Sequence, residues 1–188
     1  MLRITSGIYR GRMIATPSGN KTRPTQARLR QALLNSLQSD LPGAKVLDLF
    51  AGSGALGFES LSRGAERVTF VESARGAAGV IQQNAKILKV ESQVSIQIQS
   101  VETFLGRLER SHAPFDLIFA DPPYEEGWEM KLLERVPWES WLAPGGSFCL
   151  EWGIQKSLVQ ELPERVHCLV KQREKLYGDS VLTTYVRE

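Results

Sequence analysis

Four consecutive residues, Asp121-Pro122-Pro123-Tyr124, combine a carboxylate, two rigid backbone positions and an aromatic ring. An exocyclic amino group on a nucleobase is a poor nucleophile, because its lone pair is delocalised into the ring. To accept a methyl group the nitrogen must pyramidalise and aim that lone pair at an electrophile. Two acceptors on its N–H groups favour that geometry, and the Asp121 carboxylate and the Pro122 carbonyl are suited to supply them. The prolines fix the backbone and remove competing donors. Tyr124 offers a face on which an extruded base can stack, and its hydroxyl is assigned no part. The expected gain is orientation and electrostatics, with no covalent intermediate and no metal.

A second constellation lies upstream. Residues 48–57 read DLFAGSGALG, with Gly52, Gly54 and Gly57 in GxGxxG spacing and Glu72 twenty residues beyond Gly52. Glycines at this spacing between a strand and a helix let the backbone approach a nucleoside, and a carboxylate at the next strand end binds ribose hydroxyls. A dinucleotide would place its pyrophosphate at the helix N-terminus, where Asp48 opposes it. S-adenosylmethionine carries a sulfonium and an ammonium instead, and these suit Asp48. The expected cofactor is therefore S-adenosylmethionine, held by Asp48, Phe50, Gly52, Gly54 and Glu72. The turn Ser100-Val101 is expected at the adenine edge, with Ser100 a weaker acceptor than a carboxylate or amide.

These residues need a scaffold that brings strand ends together. Strands are predicted over 45–51, 67–72, 94–99, 115–120 and 146–152, alternating with helices over 55–63, 75–89, 101–110, 128–136 and 155–161. Two antiparallel strands, roughly 165–175 and 180–187, follow and join near Tyr177-Gly178-Asp179. The alternation specifies an α/β fold, a doubly wound and mostly parallel seven-stranded sheet with an antiparallel C-terminal strand. Ligands on such sheets sit beyond the C-terminal strand ends, where each core motif falls. Ahead of the sheet, residues 2–16 read as a β-hairpin turning around Gly7–Gly11. Thr25 is placed to cap a helix over 26–38. The expected division is a basic arm over 1–24 and a catalytic unit over 25–188, together one compact body.

Length and composition agree with one globular domain: 188 residues, 42% apolar and 23% charged. No apolar run is long enough to span a bilayer, and residues 1–13 lack the apolar core of a signal peptide, so a cytoplasmic protein is expected. Cys149 and Cys168 lack metal-ligand spacing and read as thiols. The net charge of +2 conceals an asymmetry. Residues 1–40 hold Arg3, Arg10, Arg12, Lys21, Arg23, Arg28 and Arg30 against Asp40 alone, so the remainder is acidic. Clustered cations of this kind neutralise phosphates. Arg10, Arg12, Arg23 and Arg28 are the expected RNA contacts.

With these motifs in place, nearly the whole chain resembles the bacterial 16S ribosomal RNA guanine-N2 methyltransferases, the RsmD family. The resemblance runs through RITSGIYRGRMI, Lys21-Thr22-Arg23-Pro24-Thr25, residues 48–65, FVE at 70–72, Asn84, Asp121–Tyr124, LEW at 150–152 and residues 175–185. It implies a Rossmann-like class I methyltransferase fold. It also implies transfer of a methyl group from S-adenosylmethionine to the N2 amino group of one guanine in 16S ribosomal RNA. The substrate would be an assembling or assembled small subunit, met by a monomer. In the resemblance, Asp or Asn often stands in place of Ser100, Asp in place of Glu72 and Phe in place of Tyr124.

The tetrapeptide is shared with adenine-N6 methyltransferases, so adenine-N6 transfer to DNA or RNA is the competing activity. The compact chain, with no separate target-recognition unit, weighs against a DNA substrate. A nicotinamide oxidoreductase rests on GxGxxG alone and lacks a proton donor. His112 and His167 are isolated and assigned no chemistry. Glu151, Trp128 and the Lys175–Gly178 turn are left without a role.

Overall fold

The computed structural model describes residues 1–17, 24–107, 114–124, 126–154, 157 and 159–188; for 24–26 and 107 it describes the backbone only. The N-terminal hairpin pairs β1 (Leu2–Arg3) with β2 (Met13–Ile14) in antiparallel register. Helix α1 (Pro24–Ser36) opens on proline, whose fixed φ and missing N–H suit a first helical turn. The Thr25 side chain, expected as its cap, lies outside the described residues.

The alternating core follows: β3 (Lys45–Leu49), α2 (Ala55–Ser62), β4 (Arg67–Glu72), α3 (Arg75–Leu88), β5 (Val94–Ile98), α4 (Val101–Arg107), β6 (Phe115–Ala120) and α5 (Trp128–Arg135). A single turn, α6 (Trp138–Trp141), leads into β7 (Leu142–Gly153); β8 (Arg165–Val166), β9 (Leu169–Tyr177) and β10 (Ser180–Arg187) complete the chain. The sheet runs β5-β4-β3-β6-β7-β10-β9-β8. The first five strands are parallel, and β10, β9 and β8 are antiparallel. Seven strands were expected; the two-residue β8 is an eighth at the edge.

The sheet is buried on both faces, which is why its central strands read as continuous apolar runs. Alternate strand residues divide between two cores. Val46, Val68, Phe70, Leu117 and Phe119 meet α1, α2 and α3 through Leu33, Phe58, Leu61 and Ile81. Leu47, Leu49, Val71, Ile118 and Phe148 meet the other helices through Phe104, Leu132, Trp138 and Trp141. Ile4 and Ile14 of the hairpin belong to the first core.

One predicted helix is not seen among the described residues. Of residues 155–161, three (155, 156 and 158) lie outside the described residues, and the rest are bend and coil. Ser157 explains this locally. Its Oγ accepts from the Val159 N–H at 3.1 Å, and its hydroxyl bonds the buried Glu129 carboxylate. Such local bonds compete with a helical ladder. The predicted helix over 101–110 is seen to Arg107, and 108–113, with His112, lie outside the described residues. Both cysteines are free thiols. No described helix is long and apolar enough to cross a membrane.

Candidate active site

The parallel strands carry one carboxylate after another to the C-terminal edge of the sheet: Asp48 on β3, Glu72 on β4, Asp121 after β6 and Glu151 on β7. Asp48 is 3% exposed, and its Oδ2 accepts a bond from the Gly57 N–H at 3.1 Å. Burial pushes its carboxyl up to about 8; the Gly57 bond pulls it down, and the Asp121 and Glu72 charges push it further up. Asp121 is likewise raised to about 8, by burial first and by the Glu151 charge second. Glu151 is also raised, chiefly by burial.

Glu72 pins the glycine loop. Its Oε2 accepts from the Gly52 N–H and its Oε1 from the Ala74 N–H, each at 2.8 Å. Gly52 and Gly54 turn the chain with φ of 56° and 75°, in the left-handed region that other residues avoid. A Cβ on Gly52 would meet nothing within 4 Å, so that side is open to a ligand. A Cβ on Gly57 would stand 2.3 Å from the Phe70 ring, so this glycine serves close packing of α2 on β4. Phe50 also has a positive φ, 59°, and its ring meets Trp128 edge-on with centroids 5.1 Å apart.

Ser100 and Val101 stand where the third parallel strand hands over to α4. Val101 is buried, whereas Ser100 is exposed and its hydroxyl caps the helix. Ser100 Oγ accepts from the Thr103 N–H at 3.1 Å and shares a bond with Thr103 Oγ1 at 2.8 Å. Pro122 is buried directly beside Asp121, and Tyr124 is half-buried. The tyrosine hydroxyl has partners that the sequence did not suggest: it donates to Glu151 Oε1 at 3.3 Å and lies 3.1 Å from Ser180 Oγ. Burial pushes its pKa up to about 12.

Asp48 and Glu151 are thus buried and Asp121 is partly buried, three carboxylates in one acidic site. Taking such groups from water is costly unless a cation joins them. The arrangement fits the sulfonium and ammonium of S-adenosylmethionine, with Gly52 leaving room for the nucleoside, and it opposes a pyrophosphate. Among the described residues, no group of three or more His, Cys, Asp or Glu is arranged to hold a metal ion. A cavity of about 270 Å³ lies at the opposite edge of the sheet, lined by Asp40, Asp116 and Gly145–Ser147; no motif residue reaches it.

The basic residues divide. Arg10 and Arg12 are exposed on the hairpin and Arg28 is exposed on α1, whereas Arg23 lies outside the described residues. Arg12 also donates to the Ile87 carbonyl at 2.8 Å. Arg30 is different: it is 8% exposed and faces Glu59 at 3.7 Å, so its charge is spent inside the fold.

Sequence reasoning missed Glu59 and Asn84, which tie the hairpin to the core. Glu59 is 1% exposed and accepts from the Thr5 N–H at 2.8 Å and the Thr5 hydroxyl at 3.0 Å. Asn84 is fully buried; it accepts from the Ala15 N–H at 2.7 Å and donates to the Ala15 carbonyl at 3.0 Å and the Ser53 carbonyl at 3.1 Å. Their visible signal was a polar residue inside an otherwise apolar helical face.

The sequence model of the family described as Conserved hypothetical protein 95 matches residues 2–186. The chain belongs to that family, the RsmD family. Among its relatives is the Haemophilus influenzae protein named Ribosomal RNA small subunit methyltransferase D, 34% identical over 84% of this chain and 82% of that one. The Escherichia coli K12 protein of the same name is 31% identical over 100% of this chain and 90% of its own length. A solved Escherichia coli structure superposes with a TM-score of 0.82 at 30% identity, covering 100% of this chain and 98% of the other. The fold is the class I methyltransferase fold expected from the sequence, with an N-terminal hairpin ahead of it.

Proposed function

We propose that this chain methylates the exocyclic N2 amino group of a guanine in 16S ribosomal RNA, within an assembling or assembled small subunit. The observation that carries the reading is Asp121-Pro122-Pro123-Tyr124 at the C-terminal end of β6, beside an acidic nucleoside loop. The relatives' names, which specify ribosomal RNA of the small subunit, supply the substrate class.

S-adenosylmethionine supplies an electrophilic methyl group whose transfer leaves a neutral thioether. Asp48 faces the cationic end of that cofactor, Glu72 takes ribose hydroxyls, Gly52 and Gly54 leave space, and Phe50 and the Ser100-Val101 turn bound the nucleoside. Asp121 and the Pro122 carbonyl accept the two N–H bonds of the target amine and direct its lone pair. As the new N–C bond forms, positive charge develops on that nitrogen. The Asp121 carboxylate stabilises it and is placed to take the proton the amine then releases. Tyr124 receives the base on its ring. Residues 1–24 act as the RNA-facing arm of the catalytic unit over 25–188, with Arg10, Arg12, Arg23 and Arg28 as phosphate contacts.

The test is transfer of labelled methyl groups from S-adenosylmethionine to naked 16S RNA, purified small subunits and duplex DNA. Label is expected in RNA or subunits and absent from DNA. Label in DNA alone would overturn the substrate class.

A further inference from the structure

The reaction as described leaves Glu151 and Ser180 unused, although both meet Tyr124. Glu151 is 7% exposed near the end of β7, and Gly153 follows on the same face of that strand. Ser180 opens β10 and is the register partner of Gly153. The Tyr124 hydroxyl donates to Glu151 Oε1 at 3.3 Å and bonds Ser180 Oγ at 3.1 Å. A Cβ added to Gly153 would stand 3.4 Å from the Tyr124 ring, so that ring lies directly against the strand. Two hydroxyls and a carboxylate thus meet between a loop and two antiparallel strands.

Stability does not account for this carboxylate. Its partner here is a hydroxyl, and an apolar residue of similar volume would avoid the cost of desolvating a charge. What the cluster does achieve is geometric. A loop side chain at the mouth of the site is held at its polar tip and along its ring. An aromatic face fixed in advance loses less freedom when a base stacks on it.

We propose that Glu151 and Ser180 are positioning residues, which together hold the Tyr124 hydroxyl and so fix the ring that receives the target base. The use of the ring rests on the methyl-transfer reading above; the clamp itself is a property of the folded chain. Glu151 has a second effect through charge. The groups gathered at Asp121 are Glu151, Tyr124, Asp48 and, beyond Asp48, Glu72, and Glu151 is the neighbour that raises Asp121.

A double-mutant cycle tests the clamp. In the native Tyr124 background, Ser180→Ala is expected to raise KM for the RNA by about 2- to 10-fold, the net worth of one hydrogen bond. Its affinity for S-adenosylhomocysteine should not move. In a Tyr124→Phe background the same substitution should change nothing further. Glu151→Gln keeps an acceptor for the hydroxyl but removes the charge. It should therefore move the acid limb of the pH–rate profile to lower pH, because Asp121 ionises more readily, while Ser180→Ala leaves the limb in place. A readout independent of turnover is the ring resonance of 13C-labelled Tyr124, assigned by its loss in Tyr124→Phe; Ser180→Ala should shift and broaden it. Equal effects of Ser180→Ala in both backgrounds, or an unmoved ring resonance, would overturn the clamp. An acid limb unmoved in Glu151→Gln would overturn the electrostatic part. A ring that moves as expected in a protein that methylates no RNA would uphold the clamp and reject the methyl-transfer reading.

Discussion

Asp121 is the residue on which the proposed chemistry turns. Asp121→Asn keeps the shape of the site but removes the charge and can present an N–H to the amine's N–H. Loss of such preorganised electrostatics costs on the order of 10²–10³ in turnover. Single-turnover methyl transfer at saturating RNA and cofactor should show that loss, with cofactor affinity close to the native value; full activity would remove Asp121 from the mechanism. Glu72→Ala should weaken S-adenosylhomocysteine binding by about 1–3 kcal/mol in calorimetric titration, since it strands the partly buried Gly52 N–H as well as removing a ribose acceptor. An unchanged affinity would show that the loop needs no pin. The positions of Asp48, Glu72 and Asp121 were legible in the sequence because each falls at or near the C-terminal end of an apolar strand. The part played by the Tyr124 hydroxyl was not, because its partners are 27 and 56 residues away and meet it only through strand pairing.

The hairpin is the element with the most to add to function. It looks like a free arm in sequence, yet Ile4 and Ile14 are core residues and Asn84 bonds both Ala15 and Ser53. Asn84→Ala should therefore loosen hairpin and glycine loop together, visible as faster amide exchange at Ala15 and near Ser53 and as weaker cofactor binding. Exchange confined to the hairpin would contradict that link. Replacing Arg10 and Arg12 by Ala should instead weaken RNA binding and reduce its log–log salt slope by roughly one unit per lost phosphate contact. Cofactor affinity should hold; an RNA affinity and slope both at native values would make the arm structural. Elements with strong periodicity, β3 to β6 with α2 and α3, were legible to within a residue or two. The beginning of β7 was not: Leu142–Gly145 lies ahead of the strand expected over 146–152, and it joins the sheet through an irregularity opposite Phe115–Leu117. Nor was the absence of a helix from the described residues of 155–161, because Ser157 is held by Glu129, 28 residues away.

For the molecule as a whole, electrostatics links cofactor binding to pH. Burial raises the carboxyls of Asp48 and Asp121 in the folded chain to about 8, from the ordinary aspartate value of about 3.8. The folded protein therefore holds extra protons between about pH 4 and pH 8. The ligand-free protein loses stability as pH rises through that window, with the penalty complete above about 8. A cationic ligand favours the ionised carboxylates, so S-adenosylmethionine should bind more tightly from pH 6 to pH 9. S-adenosylhomocysteine, which lacks the sulfonium, should gain less. Titration across that range checks the sign, and equal pH dependence for the two ligands would contradict a role for these carboxylates in holding the sulfonium. On the proposed reading, a basic N-terminal segment serves phosphates and an acidic site serves a cation. Which atom of which base meets them is decided by nucleoside analysis. Small subunits lacking the modification would be incubated with methyl-labelled S-adenosylmethionine and the native protein, with Asp121→Asn as control, and the 16S RNA digested to nucleosides. The account predicts labelled N2-methylguanosine, at one site per subunit and strongly reduced in the control. Label recovered as N6-methyladenosine would contradict it.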